Sequence, residues 1–458
     1  MKTLFIISLL VFVWGNSLVK ADNHAIISGK ATPGTKVLLQ YDRGMVRTEA
    51  EDKADDSGNF SLNCPLDRAA IYTLTNDGIK GGVPVFIQPG SKVTADLTKK
   101  NVVFSGDGIK ENQFLQQVKS KKDELSKKYP QNMTDVVGYK TAALKCLEEV
   151  QKFVAGAPVL DTRFTGILKT SLAVEAYRSL LKYPFIYQLI TKGEVLVLPQ
   201  GYYDFLPQVD LTSPYLVNIG YASSFLQELF AAMESEGYLQ AGMTDYLEKR
   251  AARLKDPVVR EEYLLYALNI ELFGYNQHLG QMMLKLEPMI TTAAGKAKLK
   301  EIKTKYALQA ENNRHLNAGQ PATDFSGMDP SGKKHRLSDY KGKVVVVDVW
   351  NTGCKPCIAE MPYLRKLEQQ FAGKEVVFIS ISLESGVDQW KKFLEKRGIH
   401  GNQWIETAAF KSPFAKAYNV RFVPRFMVFD RKGRVVEVYA PRPSAPRLAI
   451  LIDSILKK

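Results

Sequence analysis

The sequence predicts a multidomain protein: an N-terminal β-sandwich, a helical middle domain and a C-terminal α/β fold. Three observations carry this. The chain has 458 residues, enough for several domains at roughly 100–200 residues each. Its hydrophobic pattern changes period twice, from alternation to a helical repeat near residue 108 and back near residue 317. Hydrophobic residues make up 45% and charged residues 24%, a globular composition that can build large cores without a disulfide framework.

The N-terminus reads as an address. Met1-Lys2-Thr3 is a short basic start, Leu4 to Gly15 is apolar apart from Ser8, and Val19-Lys20-Ala21 suits a cleavage site. Residues 1–21 are therefore expected to be a signal peptide, with Asp22 the first mature residue. No cysteine follows the apolar run, so lipidation there is not expected. No other stretch approaches the length of a membrane span, so a soluble exported protein is expected. Export means a disulfide-permissive compartment, the periplasm or cell envelope.

Residues 22–107 alternate like strands, as in Ala25 to Gly29, Lys36 to Tyr41 and Val83 to Ile87. Turn clusters separate them: Thr32-Pro33-Gly34, Asp55-Asp56-Ser57-Gly58 and Gln88-Pro89-Gly90. Short strands between regular turns predict the β-sandwich. Residues 108–316 carry helical stripes. Phe114, Val118, Leu125 and Tyr129 share one face, and Leu172 to Leu181, Glu261 to Leu272 and Lys296 to Leu316 read as helices. Tyr177, Tyr183 and Tyr187 are expected in the core. Asn317-Ala318-Gly319-Gln320-Pro321 reads as a linker. In residues 317–458, Val344 to Val349 and Val376 to Ser382 are strands apolar on both faces, as buried strands are. Arg425 to Asp430 and Arg434 to Tyr439 follow, joined by a Gly433 turn. Helices are expected at Tyr363 to Phe371, Asp388 to Lys396, Ser412 to Tyr418 and Leu448 to Leu456. Helices around a central sheet make an α/β sandwich.

The formal charge of +14 raises a nucleic-acid or membrane partner. Most of the excess lies after residue 317, but it is scattered, with no run longer than a pair such as Lys391-Lys392. A solvated basic face explains it, so no nucleic acid is expected.

Only four cysteines occur: Cys64, Cys146, Cys354 and Cys357. The first two are expected to be small buried residues. The other two form Cys354-Lys355-Pro356-Cys357, after a buried strand and before a helix. Residues i and i+3 share a helix face, so the sulfurs are adjacent. Cys354 would sit at the helix N-terminus, where free N–H groups and the dipole favour a thiolate. Cys357 would lie one turn inside. That asymmetry makes Cys354 the attacker and Cys357 the resolver. Lys355 adds a positive charge, and Pro356 suits the first turn. Competing readings are a structural disulfide, a zinc site and a peroxidase. Zinc needs four ligands, but no second Cys-x-x-Cys exists and the five histidines are dispersed, so no metal or other cofactor is expected. A peroxidase wants a lone peroxidatic cysteine flanked by Pro and Thr.

The run Asp348-Val349-Trp350 to Cys354-Lys355-Pro356-Cys357 resembles a thioredoxin-fold active site. With Leu337-Ser338-Asp339-Tyr340-Lys341-Gly342-Lys343 before it and Ile358-Ala359-Glu360-Met361-Pro362 after it, the pattern resembles the TlpA/ResA family of envelope thiol–disulfide oxidoreductases. The resemblance covers about the last 140 residues. It implies a C-terminal thioredoxin-like fold and a cis-proline opposite the cysteines, which Phe422-Val423-Pro424-Arg425-Phe426 supplies. It also implies that the backbone of Val423 pairs with a substrate chain, and that Asp388 to Ile405 is the family's inserted helix–strand unit. More weakly, Asp55 to Phe60 and Phe104-Ser105-Gly106 resemble a β-domain of unknown function that precedes such folds.

Two carboxylates accompany the pair. Asp348, inside the apolar strand, should have a raised pKa and could take the proton of Cys357. The family match gives Glu360, one turn past Cys357, a similar tuning role. A strand-end residue with an ordinary partner and a solvated helix residue are the respective alternatives. Trp350, Lys355, Val423 and Pro424 are expected at the substrate. Gly353 departs from the family, which usually has Trp there, and that puts the usual substrate platform in doubt.

The sequence thus predicts an exported reductant of disulfide-containing envelope proteins, with apocytochrome c among the clients the resemblance implies and a membrane-side electron donor expected. The alternative is an envelope binding or adaptor protein whose redox domain is accessory.

Overall fold

A computed structural model describes residues 24–43, 46–77, 82–99, 101–191, 196 and 198–457. The expected signal peptide lies outside them. The chain divides into two compact units: Met1–Asp123 with Phe153–Leu168, and Glu124–Lys152 with Lys169–Lys458.

The first unit holds β1 (His24–Lys30), β2 (Lys36–Arg43), β3 (Val46–Lys53), β4 (Asn59–Pro65), β5 (Ala70–Asn76), β6 (Val83–Ile87), β7 (Lys92–Asp96) and β8 (Val103–Gly106). They form two four-stranded sheets, ordered β4-β1-β7-β8 and β3-β2-β5-β6. Alternate residues of β4 and β5 are buried, so one face of each strand is core and the other is not. Ile27, Leu62 and Val93 of one sheet join Val37, Leu74 and Val85 of the other in a single apolar cluster. Cys64 is buried in it, and that burial pushes its thiol up to about 11. Cys146, expected in a core, is only half-buried, and both thiols are free.

Helices α1 (Ile109–Lys128), α2 (Val136–Ala155) and α3 (Thr162–Ile190) each run between the units' residue ranges. The second unit continues with α4 (Ala222–Ser235), α5 (Tyr246–Ala251), α6 (Pro257–Gly274), α7 (Leu279–Leu286) and α8 (Ala293–Asn312). Asp256 caps α6 by accepting from the N–H groups of Val258 and Val259, and Pro257 stands at its first position. Tyr177 and Tyr183 are core residues as expected.

The redox half of this unit contains β9 (Ser326–Met328), β10 (Lys334–Arg336), β11 (Val344–Trp350), α9 (Lys355–Gln370), β12 (Val376–Leu383), α10 (Val387–Lys396), β13 (Asn402–Glu406), α11 (Pro413–Ala417), β14 (Arg425–Phe429), β15 (Val435–Ala440) and α12 (Pro446–Leu456). Its seven-stranded sheet runs β10-β9-β13-β12-β11-β14-β15. Strands β11, β12 and β13 are parallel, β14 runs antiparallel to β11, and β15 runs antiparallel to β14. Every residue of β11 is buried. Its even-numbered side chains Val344 and Val346 pack with Leu367 of α9 and Ile452 of α12, while Val345 and Val347 pack on the other face with Phe414 and Tyr418. That two-sided burial is why the strand reads as a run of valines. None of the helices among the described residues is long and apolar enough to cross a membrane.

Candidate active site

Cys354 and Cys357 are disulfide-bonded at the carboxyl end of β11. Cys354 caps α9, its Sγ accepting the Cys357 N–H at 3.2 Å, and Pro356 lies in the first turn. Cys354 is 9% exposed and Cys357 3%, so the outer sulfur is the expected attacker. Both pack with Trp390, Leu394 and Ile405 in one apolar cluster, so the inserted helix–strand unit forms the wall behind the sulfurs.

Trp350, expected at the substrate, is instead wholly buried in that cluster, its ring 5.6 Å from that of Phe393. The inserted helix–strand unit covers it through Trp390, Leu394 and Ile405, and it packs with the cysteines in the same cluster. Lys355 is exposed on the first turn of α9. The Val423–Pro424 peptide is cis, and half-buried Val423 packs against the cysteine cluster. Arg425, the next residue, is not on the surface. It is buried over the Tyr439 ring at 4.5 Å and donates through Nη1 to the Gly274 carbonyl at the end of α6. Burial lowers its pKa to about 10. Beside it, Phe422 stacks on Phe273 with centroids 5.2 Å apart. A Cβ on Gly274 would lie 2.5 Å from the Tyr439 ring, which Arg425 covers. Gly274→Ala should therefore destabilise by about 1–3 kcal/mol despite alanine's better helix propensity. Thermal unfolding of the variant checks this.

Asp348 lies on the same face of β11 as Val346 and Trp350, the face α9 covers. It is buried, and desolvation, reinforced by Glu360 and Glu368, pushes its pKa up to about 8; a weak hydrogen bond from Ser380 opposes this. Glu360 is also buried rather than solvated. Desolvation raises its pKa, while Arg442 and two hydrogen bonds from Ser444 pull it down. The fold thus buries two protonatable carboxyls close enough to interact, Asp348 on β11 and Glu360 on α9 one turn past Cys357.

One site residue escaped sequence reasoning. Glu384, just past β12, accepts the Thr352 N–H at 3.2 Å and the Thr352 hydroxyl at 2.6 Å, and also the Ser382 hydroxyl. It fixes the loop between β11 and Cys354. Its signal, an acidic residue closing a buried strand, has no fixed spacing to the cysteines. Glu384→Ala should cost about 1–3 kcal/mol by leaving those donors unpaired. Chemical denaturation reads it.

The Redoxin family model matches residues 317–449. The thiol-disulfide oxidoreductase ResA of Geobacillus kaustophilus is 33% identical over 120 residues, which is 26% of this chain and 67% of the relative. The thioredoxin-like protein YneN of Bacillus subtilis is 32% identical over 136 residues, 29% of this chain and 78% of the relative. The chain belongs to the ResA-like family of thioredoxin-fold proteins. The thioredoxin domain of a Bacteroides vulgatus thiol-disulfide oxidoreductase is 26% identical, covering 31% of this chain and 99% of that one, with a TM-score of 0.28. The ResA-like relationship concerns the last third of the chain. Where the family usually has Trp, a Cβ on Gly353 would meet only Asn351 Oδ1 at 3.6 Å, so packing does not demand the glycine.

Proposed function

We propose that this protein is an exported thiol–disulfide oxidoreductase that reduces disulfides of envelope proteins, apocytochrome c among them. The observation that carries the reading is the Cys354–Cys357 pair at the N-terminus of α9, with Cys354 the more exposed of the two. The Cys354 thiolate attacks one sulfur of a partner disulfide, and the other leaves as a thiolate that takes up a proton. The ionised fraction of Asp348, which grows as pH approaches 8, takes the proton of the Cys357 thiol, directly or through water, and the Cys357 sulfur displaces Cys354 from the partner. The partner gains two electrons and ends as a dithiol, and the pair ends as the disulfide seen here. A membrane-side donor returns those electrons.

Glu360 tunes this transfer from one turn beyond Cys357. Val423 presents backbone to the substrate chain, Pro424 shapes that loop, and Lys355 favours the thiolate. The two N-terminal sheets, which share one core, are read as a sandwich that with the helical region selects the partner.

The test is equilibration of the pair with a glutathione buffer. A potential near that of thioredoxin, about −270 mV, supports a reductant, whereas one near −120 mV, roughly that of a strong periplasmic oxidant, overturns it.

A further inference from the structure

Glu360 is held from outside its own helix. The Ser444 N–H donates to its Oε2 at 3.0 Å and the Ser444 hydroxyl to its Oε1 at 2.9 Å. Arg442 approaches more loosely, 3.9 Å from Oε1 and half-exposed. Both residues belong to the segment between β15 and α12, Pro441-Arg442-Pro443-Ser444-Ala445. Two of its five residues are prolines with fixed φ, and a third, Pro446, opens α12 directly after it. A turn from the Ala445 N–H to the Arg442 carbonyl, 2.9 Å, closes it further. Such a segment has few torsions in which to absorb a displacement.

Its far end is anchored as well. Arg447, in the first turn of α12, places Nη2 3.2 Å from Oε2 of Glu234 on α4, and its guanidinium lies 4.1 Å from the Tyr246 ring centroid. The other oxygen of Glu234 accepts from Arg250 Nε at 2.7 Å. The Glu234 and Arg250 side chains are buried, and that of Arg447 nearly so. Burying three charges costs desolvation, and well-packed apolar residues would often be no less stable. Stability alone gives little reason for the arrangement, but holding one end of a stiff segment does.

We infer that Glu234, in the helical region, is a positioning residue for Glu360, acting through Arg447 and the proline-stiffened segment that ends in Ser444. The inference rests on the proposed role of Glu360 beside Cys357. It makes the helical region part of the redox machinery, in addition to the partner selection proposed for it above. The groups that face Glu360 are Asp348 from β11, Tyr363 from its own helix, and Arg442 and Ser444 from the segment. Tyr363 in turn faces Glu236 and Tyr203 of the helical region. If the anchor is lost, Ser444 no longer holds the carboxylate and Glu360 stays neutral to higher pH. A neutral neighbour favours a cysteine thiolate, as the Glu360→Gln amide would.

The experiment is the pH profile of iodoacetamide alkylation of the reduced full-length protein, followed at each cysteine by mass spectrometry. Parent, Glu360→Gln, Arg447→Met, Arg447→Lys, Glu234→Gln and the Arg447→Met/Glu360→Gln double variant are compared. Arg447→Met and Glu234→Gln should lower the Cys357 midpoint by roughly half a pH unit, in the same direction as Glu360→Gln. Arg447→Lys should restore most of the parent profile. In the Glu360→Gln background Arg447→Met should add nothing, which distinguishes action through Glu360 from general loosening. A shift that persists undiminished in the double variant overturns the inference. So does a shift with Glu360→Gln but none with the anchor variants. If Glu360→Gln itself moves nothing, the tuning role of Glu360 fails, and the inference with it. Should Arg447→Met not fold, Glu234→Gln, which keeps the side-chain shape, takes its place both alone and in the Glu360→Gln background.

Discussion

Cys354→Ser is expected to lower disulfide exchange by roughly three orders of magnitude or more while leaving the thermal transition of the reduced protein close to the parent's. The nucleophile is a thiolate, and a serine hydroxyl does not ionise in this range even at a helix N-terminus. The fold should tolerate the change, because serine is a good N-cap and can accept the Cys357 N–H that Cys354 Sγ now accepts. Cys357→Ala separates the two roles. Attack by Cys354 persists, but nothing inside the helix releases the partner, so a mixed disulfide through Cys354 should accumulate in non-reducing gels and in intact mass. If Cys357→Ala accumulates no adduct with a disulfide protein, or the adduct forms without Cys354, the order of attack is wrong.

Asp348→Asn should act on both rate and stability. A group that takes up a proton in the transition state contributes about 10²–10⁴-fold, so resolution of the mixed disulfide should slow by that order. Stopped-flow measurement of partner release, with attack monitored separately, reads it. The stability effect has a definite sign. The native carboxyl binds its proton up to about pH 8, whereas the unfolded one loses it near 3.8. Between those values the native state holds more protons, so parent stability falls as pH rises through this window. Asn cannot ionise, so the variant lacks that slope. Urea titrations at pH 5 and pH 9 should show the parent losing a few kcal/mol that the variant keeps, about the size expected for a buried carboxyl forced to ionise. Equal pH slopes for parent and variant would mean that Asp348 is solvated.

The redox half was largely legible because its determinants are local. Five valines around Asp348 announce a doubly buried strand, and Cys-x-x-Cys directly after it leaves little freedom for the sulfurs. The burial of Asp348 follows from its neighbours in the strand. Other features were hidden because they depend on residues distant in sequence. Nothing beside Arg425 in the sequence signals its burial, yet its guanidinium meets the Gly274 carbonyl, about 150 positions earlier. Glu384 reaches the cysteine loop only because β12 lies beside β11 in register. Trp350 was expected at the substrate from its place in the motif, whereas the inserted helix–strand unit, distant in sequence, covers it. Ser444, Arg447 and Glu234 carry no motif at all, and their meeting is a property of the packed chain.

The contact between Arg425 and the Gly274 carbonyl bears on portability. Thioredoxin-like folds are easily imagined as cassettes, exchangeable between proteins at their linkers. Here the residue after the cis-proline is built for a particular lid: a helix ending in glycine, whose carbonyl meets a guanidinium and whose bare Cα leaves room for a tyrosine. A chimera joined at residue 317 to a foreign helical region would leave that guanidinium facing whatever the new neighbour offers. The cis-proline loop and the helix that meets it are therefore best inherited, and engineered, as one piece.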